Sequence, residues 1–214
     1  MYKKKDLINF KSIVSVTITI IVLPVCVLLL TKNKTKINKP KQVSKQTIQH
    51  IQTSSFKKQK EMIYSFELWI ESQRIWRNNK LVVFSPDYAH RLSEAIVKYS
   101  DYPIIMLSIC YIESKFNQTA KSNTNAIGIG QVSLISVPEL MKAGILTNEN
   151  GKELYDLAVN IKAANFIFNQ KLNKTKGDID AALDLYSGGA KKYTTRIKKT
   201  VFDIVFFMES INKE

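Results

Sequence analysis

Apolar residues at three- and four-residue spacings dominate the chain after residue 55, the signature of amphipathic helices. Met62, Ile63, Phe66, Trp69, Ile70 and Trp76 predict one such helix over residues 56–76, with both tryptophans in the core. Ser85-Pro86-Asp87 joins an N-cap serine to a proline at the first helical position, so a second helix starts there and runs to about Tyr99. Asp101-Tyr102-Pro103 opens a third in the same way. Its body, Ile104 to Ile112, is almost wholly apolar, as in a helix buried on most sides. After Glu113 the string SKFNQTAKSNTNAIGIGQVS is polar, Asn-rich and Gly-containing, which predicts a long loop. Further helices are expected at roughly 136–143, 152–172, 178–187 and 191–211. There is no convincing run of alternating strands and no repeat at a solenoid period, so the expected fold class is mainly α, one domain over residues 56–212.

The first 55 residues follow another pattern. Ile13 to Leu30 is an 18-residue run without a charge, flanked by Lys3, Lys4, Lys5 and Lys11 on one side and by Lys32, Lys34 and Lys36 on the other. At about 1.5 Å per residue such a helix just spans a bilayer, and Pro24 is tolerated in that setting. No small-x-small cleavage site follows the run, and Cys26, preceded by Leu-Pro-Val, lacks the small residue that a lipidated cysteine requires. The expectation is a basic cytoplasmic N-terminus at 1–12, an uncleaved transmembrane signal anchor at 13–30 and a basic polar linker at 31–55. Both flanks are basic, so the charge count does not itself orient the anchor.

The net charge of +14 looks like a nucleic-acid signature until it is located. Residues 1–60 hold 13 lysines and a single acid, Asp6, while residues 61–214 hold 19 Lys and Arg against 17 acids. A basic tail beside a nearly neutral domain suits lipid headgroups or cell-wall polymer at least as well as DNA, and no nucleic-acid partner is expected. Cys26 and Cys110 both lie in apolar surroundings, and His50 and His90 have no ligand-spaced neighbours, so neither a disulfide framework, a metal nor another cofactor is expected.

Glu113 stands out because it ends an apolar helix. At helical spacing it continues the row Met106, Cys110, and ionised carboxylates are seldom placed beside apolar neighbours without a partner. Desolvation there raises a carboxyl pKa and suits a general acid. The alternative from local features is a surface glutamate paired with Lys115.

The residues that follow add a resemblance. Glu113-Ser114-Lys115-Phe116, then Ala120 and Ser122, then Ala126-Ile127-Gly128-Ile129-Gly130-Gln131 resemble the Glu-Ser-x-Phe, Ala-x-Ser and Gly-Ala-x-Gly-Leu-Met-Gln signature of lytic transglycosylases of the soluble-lytic-transglycosylase type. Asn160-Ile161 with Ala164 is similar to that family's Asn-Ile-x-x-Gly helix. Leu185-Tyr186-Ser187-Gly188-Gly189 is similar to its Ala-Tyr-Asn-Ala-Gly segment, with Tyr193 and Arg196 following in the last helix. Four blocks stand in order over roughly 90–200. The departures are Asn125 for glycine, Gly130 for methionine, Leu134 for proline and Ser187 for asparagine.

The resemblance implies a lysozyme-like α-helical domain that binds peptidoglycan glycan strands and cleaves the β-1,4 bond between N-acetylmuramic acid and N-acetylglucosamine. Glu113 would be acid and then base, giving a 1,6-anhydro product, and Ser122, Gln131 and Tyr186 would orient the sugars. The segment from Ser114 to Pro138 contains no Asp or Glu, which favours a one-carboxylate route. Two rivals remain: a goose-type muramidase of the same fold, with Asp184 as a candidate second carboxylate, and a membrane-anchored wall-binding module without catalysis. A catalytic domain of this kind works outside the cytoplasmic membrane. A secretion, conjugation or division complex is a partner class that the resemblance leaves open.

Overall fold

The structure is a computed structural model that describes residues 45–211, with side chains from residue 57. The apolar segment 13–30, the basic residues before it and linker residues 31–44 lie outside the described residues. Among the described residues no helix is long and apolar enough to cross a membrane.

The first described helix, α1 (Lys45–Ser72), begins well before Phe56 and buries Phe66, Trp69 and Ile70 at the spacing read from the sequence. It stops four residues short of Trp76. A hairpin follows instead, β1 (Ile75–Arg77) paired with β2 (Lys80–Val82) in the register Ile75↔Val82, Trp76↔Leu81 and Arg77↔Lys80. Asn78 and Asn79 make the turn at φ of 49° and 60°, the left-handed region that asparagine tolerates best after glycine. Because side chains alternate along a strand, Ile75 points in and Trp76 points out, 73% exposed. The core position expected for Trp76 is therefore wrong, and the error comes from reading a two-residue period as a helical one.

Helix α2 (Pro86–Tyr99) starts where the serine and proline place it: the Tyr88 amide donates to Ser85 Oγ at 3.3 Å, and Ala89, Leu92, Ala95 and Ile96 are buried. Helix α3 (Pro103–Ser114) buries Met106 through Cys110. The segment after it contains a two-residue hairpin, β3 (Ala126–Ile127) with β4 (Val132–Ser133), where a plain loop is expected from composition. Helix α4 (Val137–Lys142) follows a 3-10 turn.

The helix expected over 152–172 is split. A 3-10 turn at Lys152–Tyr155 precedes α5 (Leu157–Lys174), because Asp156 turns extended and accepts from the Val159 amide as an N-cap. Asp178 caps α6 (Ile179–Tyr186) in the same way. The last described helix, α7 (Tyr193–Ile211), buries Tyr193, Ile197, Thr200 and Ile204, one stripe at helical spacing. Helix α5 packs against α2 and α6, and α3 packs against α7, which brings the end of α3 to the start of α7. The domain is mainly helical, as expected from the sequence.

Candidate active site

Glu113 occupies the last turn of α3, on the row of buried Met106 and Cys110, and is itself half-buried. Removal from water is the largest influence on its carboxyl and raises the pKa above the ordinary 4.5; a hydrogen-bonding pull from Tyr193 and the positive charge of Arg196 act against it. No carboxylate is among the groups that shift it. The pairing with Lys115 that local features allowed is absent: among the described residues Glu113 joins no ion pair, and the Lys115 ammonium lies 3.7 Å from the centre of the Tyr111 ring.

The chain leaves α3 through two consecutive left-handed residues, Lys115 (φ 53°) and Phe116 (φ 59°). For residues with a Cβ this costs roughly 1–2 kcal/mol each. The turn is held from the first hairpin and from α2. Arg77 donates to the Lys115 carbonyl at 3.0 Å, the Tyr88 hydroxyl donates to the Phe116 carbonyl at 2.7 Å, and the Phe116 ring is buried among Trp69, Phe84 and Tyr111. Ser114 Oγ donates to the Ile129 carbonyl at 2.8 Å and so ties the returning loop to the end of α3.

The loop is fixed to α5 by one buried amide. Asn160 Nδ2 donates to the carbonyls of Ile127 (3.0 Å) and Leu154 (2.7 Å), and its Oδ1 accepts from the Gly130 amide at 2.8 Å. The two glycines beside it have no room for more. At Gly128 (φ 77°) a Cβ would collide with the Asn160 amide and the Leu154 carbonyl; at Gly130 it would lie 2.8 Å from the Ala164 Cβ. Two departures from the family pattern thus have a local reason. Asn125 sits at φ 60°, where asparagine is the usual substitute for glycine, and the loss of a side chain at residue 130 matches the extra methyl of Ala164, where the family has glycine.

Of the residues singled out in the sequence, Glu113 and Tyr186 share one electrostatic environment. The Tyr186 hydroxyl donates to the Gly130 carbonyl at 2.9 Å, and burial together with the charge of Glu113 raises its pKa, so it stays a protonated donor. Gln131 (φ 51°) turns its side chain back on the loop: Nε2 donates to the Gly128 carbonyl at 2.9 Å and approaches that of Ala120 at 3.4 Å. Both partners are carbonyls, so the amide nitrogen must face them, and Oε1 is left without a protein donor. Ser122 Oγ accepts from the amides of Ala126 (2.9 Å) and Thr124 (3.2 Å) and closes the turn before β3. No hydrogen bond joins Gln131 or Ser122 to Glu113.

Tyr193 carries more of the site than its place in the sequence indicated. Its hydroxyl is buried and meets no acceptor at full hydrogen-bond geometry, yet it is close enough to pull on the Glu113 carboxyl and to have its own pKa raised by that charge. Its position at the first turn of α7 is the only local signal, and the contact depends on α7 packing against α3. Asp184, the candidate second carboxylate, is exposed and accepts a hydrogen bond from Thr194. Among the described residues no group of three or more His, Cys, Asp or Glu could hold a metal ion.

A shielded carboxyl group faced by two tyrosines at the junction of packed helices has the chemical make-up of a candidate acid–base site. The Transglycosylase SLT domain model matches residues 92–202, from within α2 to within α7 and just over half of the chain, and the protein belongs to that family. Membership implies a lytic transglycosylase that binds and cleaves peptidoglycan. No curated protein and no solved structure matches the chain.

Proposed function

We propose that the protein cleaves the N-acetylmuramic acid–β-1,4–N-acetylglucosamine bond of peptidoglycan by a route in which Glu113 is the sole acid and base, within a lysozyme-like domain. The observation that carries the reading is the desolvated Glu113 carboxyl with no carboxylate acting on it. The protonated acid gives its proton to the glycosidic oxygen as the bond to the muramic C1 breaks, leaving positive charge on that ring. The carboxylate so formed takes the proton of the same sugar's 6-hydroxyl, and O6 closes on C1. One proton enters the leaving sugar, one returns to Glu113, and water takes no part.

Raised pKa values support both steps. The first needs a carboxylic acid that remains protonated where ordinary glutamates are ionised, and burial supplies this. The second needs a base that is regenerated as an acid, which a desolvated carboxylate favours. Tyr193 stabilises the ionised form between the steps, and Tyr186 holds the Gly130 carbonyl and the adjoining loop in place. Gln131 offers its open Oε1 as an acceptor for a sugar N–H or hydroxyl, while Ser122 shapes the loop through its backbone bonds. A goose-type hydrolase would need a second carboxylate to position water, and Asp184 is engaged by Thr194.

The reading extends to location: an anchor at residues 13–30 with its N-terminus in the cytoplasm would place the domain against the wall, outside the cytoplasmic membrane. Protease added to spheroplasts should then cut within residues 31–60, and protection there would reverse the topology. For the chemistry, Glu113→Gln should abolish lysis of purified sacculi while the protein stays folded; lysis at the wild-type rate would eliminate Glu113 as the acid.

A further inference from the structure

Lys115 and Phe116, the first two residues after α3, are both left-handed and both carry a side chain, at φ 53° and 59°. Lys115 stands at the C-cap of the helix, its amide closing on the Cys110 and Tyr111 carbonyls, a place that glycine fills without strain. Two successive residues in this conformation relax to lower-energy backbone unless something outside them holds them. Among the described residues no backbone amide donates to the carbonyl of either one. Two side chains do. Arg77 Nη2 donates to the Lys115 carbonyl at 3.0 Å, and the Tyr88 hydroxyl donates to the Phe116 carbonyl at 2.7 Å.

Each donor is aimed by its own element. Arg77 ends β1 two residues after buried Ile75 and on the same face, so it points into the domain while Trp76 points to solvent. The Ile75↔Val82 pair and the Asn78–Asn79 turn fix that strand. Tyr88 lies in the first turn of α2 with its ring stacked on Phe84 at 5.7 Å, and burial raises its pKa, so the phenol stays a protonated donor. The Phe84 ring in turn meets Phe116 edge-on. Residues 77 and 88 both precede the family match at 92–202, so the hold comes from outside the shared domain.

Glu113 is the penultimate residue of α3, and Ser114, the last, donates to the Ile129 carbonyl. Where the helix ends and how the chain reverses therefore decide where the Glu113 carboxyl lies against the returning loop. We propose that Arg77 and Tyr88 are positioning residues for Glu113: by holding the Lys115 and Phe116 carbonyls they keep the end of α3 in the conformation that sets the acid for proton transfer. The inference rests on Glu113 being the acid of the reaction proposed above, and it requires neither side chain to touch the substrate. A displacement of about 1 Å at a reacting group costs on the order of a hundredfold in rate, so a contact this indirect is enough to govern turnover.

The test uses the full-length chain on soluble glycan strands, with kcat and KM measured across pH. Arg77→Met keeps an unbranched side chain and removes the donor; kcat should fall by about tenfold or more with KM little changed. Tyr88→Phe deletes one oxygen, leaves the ring on Phe84 and should show the same split. Rescue is the decisive measurement. Lys115 fills the variable place of the Glu-Ser-x-Phe string, so Lys115→Gly alone should leave kcat near wild type. Added to Arg77→Met, it gives residue 115 the left-handed conformation without strain and should restore most of the lost kcat, and Arg77→Lys, which keeps a donor, should lose less than Arg77→Met. Arg77 is not among the groups that shift the Glu113 carboxyl, so the limbs of the kcat/KM profile should stay in place. Wild-type kcat in Arg77→Met or Tyr88→Phe, a raised KM at unchanged kcat, a displaced limb, or no recovery on adding Lys115→Gly overturns the proposal. Should Arg77→Met fail to fold by circular dichroism, the kcat and KM of Tyr88→Phe decide by the same criteria. The ends released by the wild-type chain are scored separately: reducing ends in place of anhydro ends would refute the transglycosylase reading and leave the positioning result standing, because either chemistry needs a placed acid.

Discussion

At Glu113 burial pushes the carboxyl toward its neutral form while Tyr193 and Arg196 pull it toward the ionised one, and burial is the larger. This has a consequence for stability. A carboxyl whose folded pKa exceeds its unfolded one binds more protons in the native state, so its contribution turns destabilising as pH rises past the ordinary 4.5 and stays so above the folded value. Glu113→Gln should therefore be more stable than wild type at neutral pH, and the difference should vanish below the ordinary carboxyl range. Melting curves across pH check both the sign and the window. Tyr193→Phe removes a group that favours the ionised acid, so the alkaline limb of the kcat/KM profile should move to higher pH; a shift to lower pH would contradict the role assigned to the hydroxyl. Glu113 itself was legible in the sequence because its row, Met106 and Cys110, is local to one helix. The hold that Tyr193 has on it was not, since eighty residues separate them and only the packing of α3 on α7 brings them together.

Among elements, the loop between α3 and α4 depends on side chains that lie elsewhere. Asn160 satisfies three loop and turn groups in a dry setting, and replacing it by Leu leaves them unpaired at about 1–3 kcal/mol for each buried group lost. A fall in unfolding free energy of about 3 kcal/mol by urea titration is expected, with activity lost at temperatures where the protein is still folded. The Gly130–Ala164 contact makes a paired prediction. Gly130→Met alone should destabilise the protein by about 2 kcal/mol through overpacking, and Ala164→Gly should recover most of that loss, a coupling that a double-mutant cycle measures directly. The helix start at Ser85 was readable because capping is a bond over three residues, and the helix expected from about residue 178 does begin at the Asp178 cap. The cap at Asp156 was overlooked inside a longer apolar spacing. The hairpins were not readable. The strand pair at Ile75–Val82 has a single alternation in and out, too short to outweigh the helical spacing that runs into it, and it displaced Trp76 from core to surface.

Over the whole molecule the family match begins inside α2, so α1 and the first hairpin lie before it. They are nonetheless part of the site's support: Trp69 packs edge-on against Phe116, and Arg77 bonds the Lys115 carbonyl. The excess positive charge falls in residues 1–60, the last part of which is the start of α1, and residues 61–214 are nearly neutral. The mainly helical class followed from spacing alone. The resemblance around Glu113 lay in short strings, and what holds those strings in position, Asn160, the left-handed turn at Lys115–Phe116 and the start of α7, is a property of packing across the domain. The central claim is that one carboxyl group closes the muramic ring on itself. Mass spectrometry of the fragments released from purified sacculi tests it most directly: the account predicts 1,6-anhydro-muramic ends that disappear in Glu113→Gln, and reducing ends, one water heavier, would contradict it.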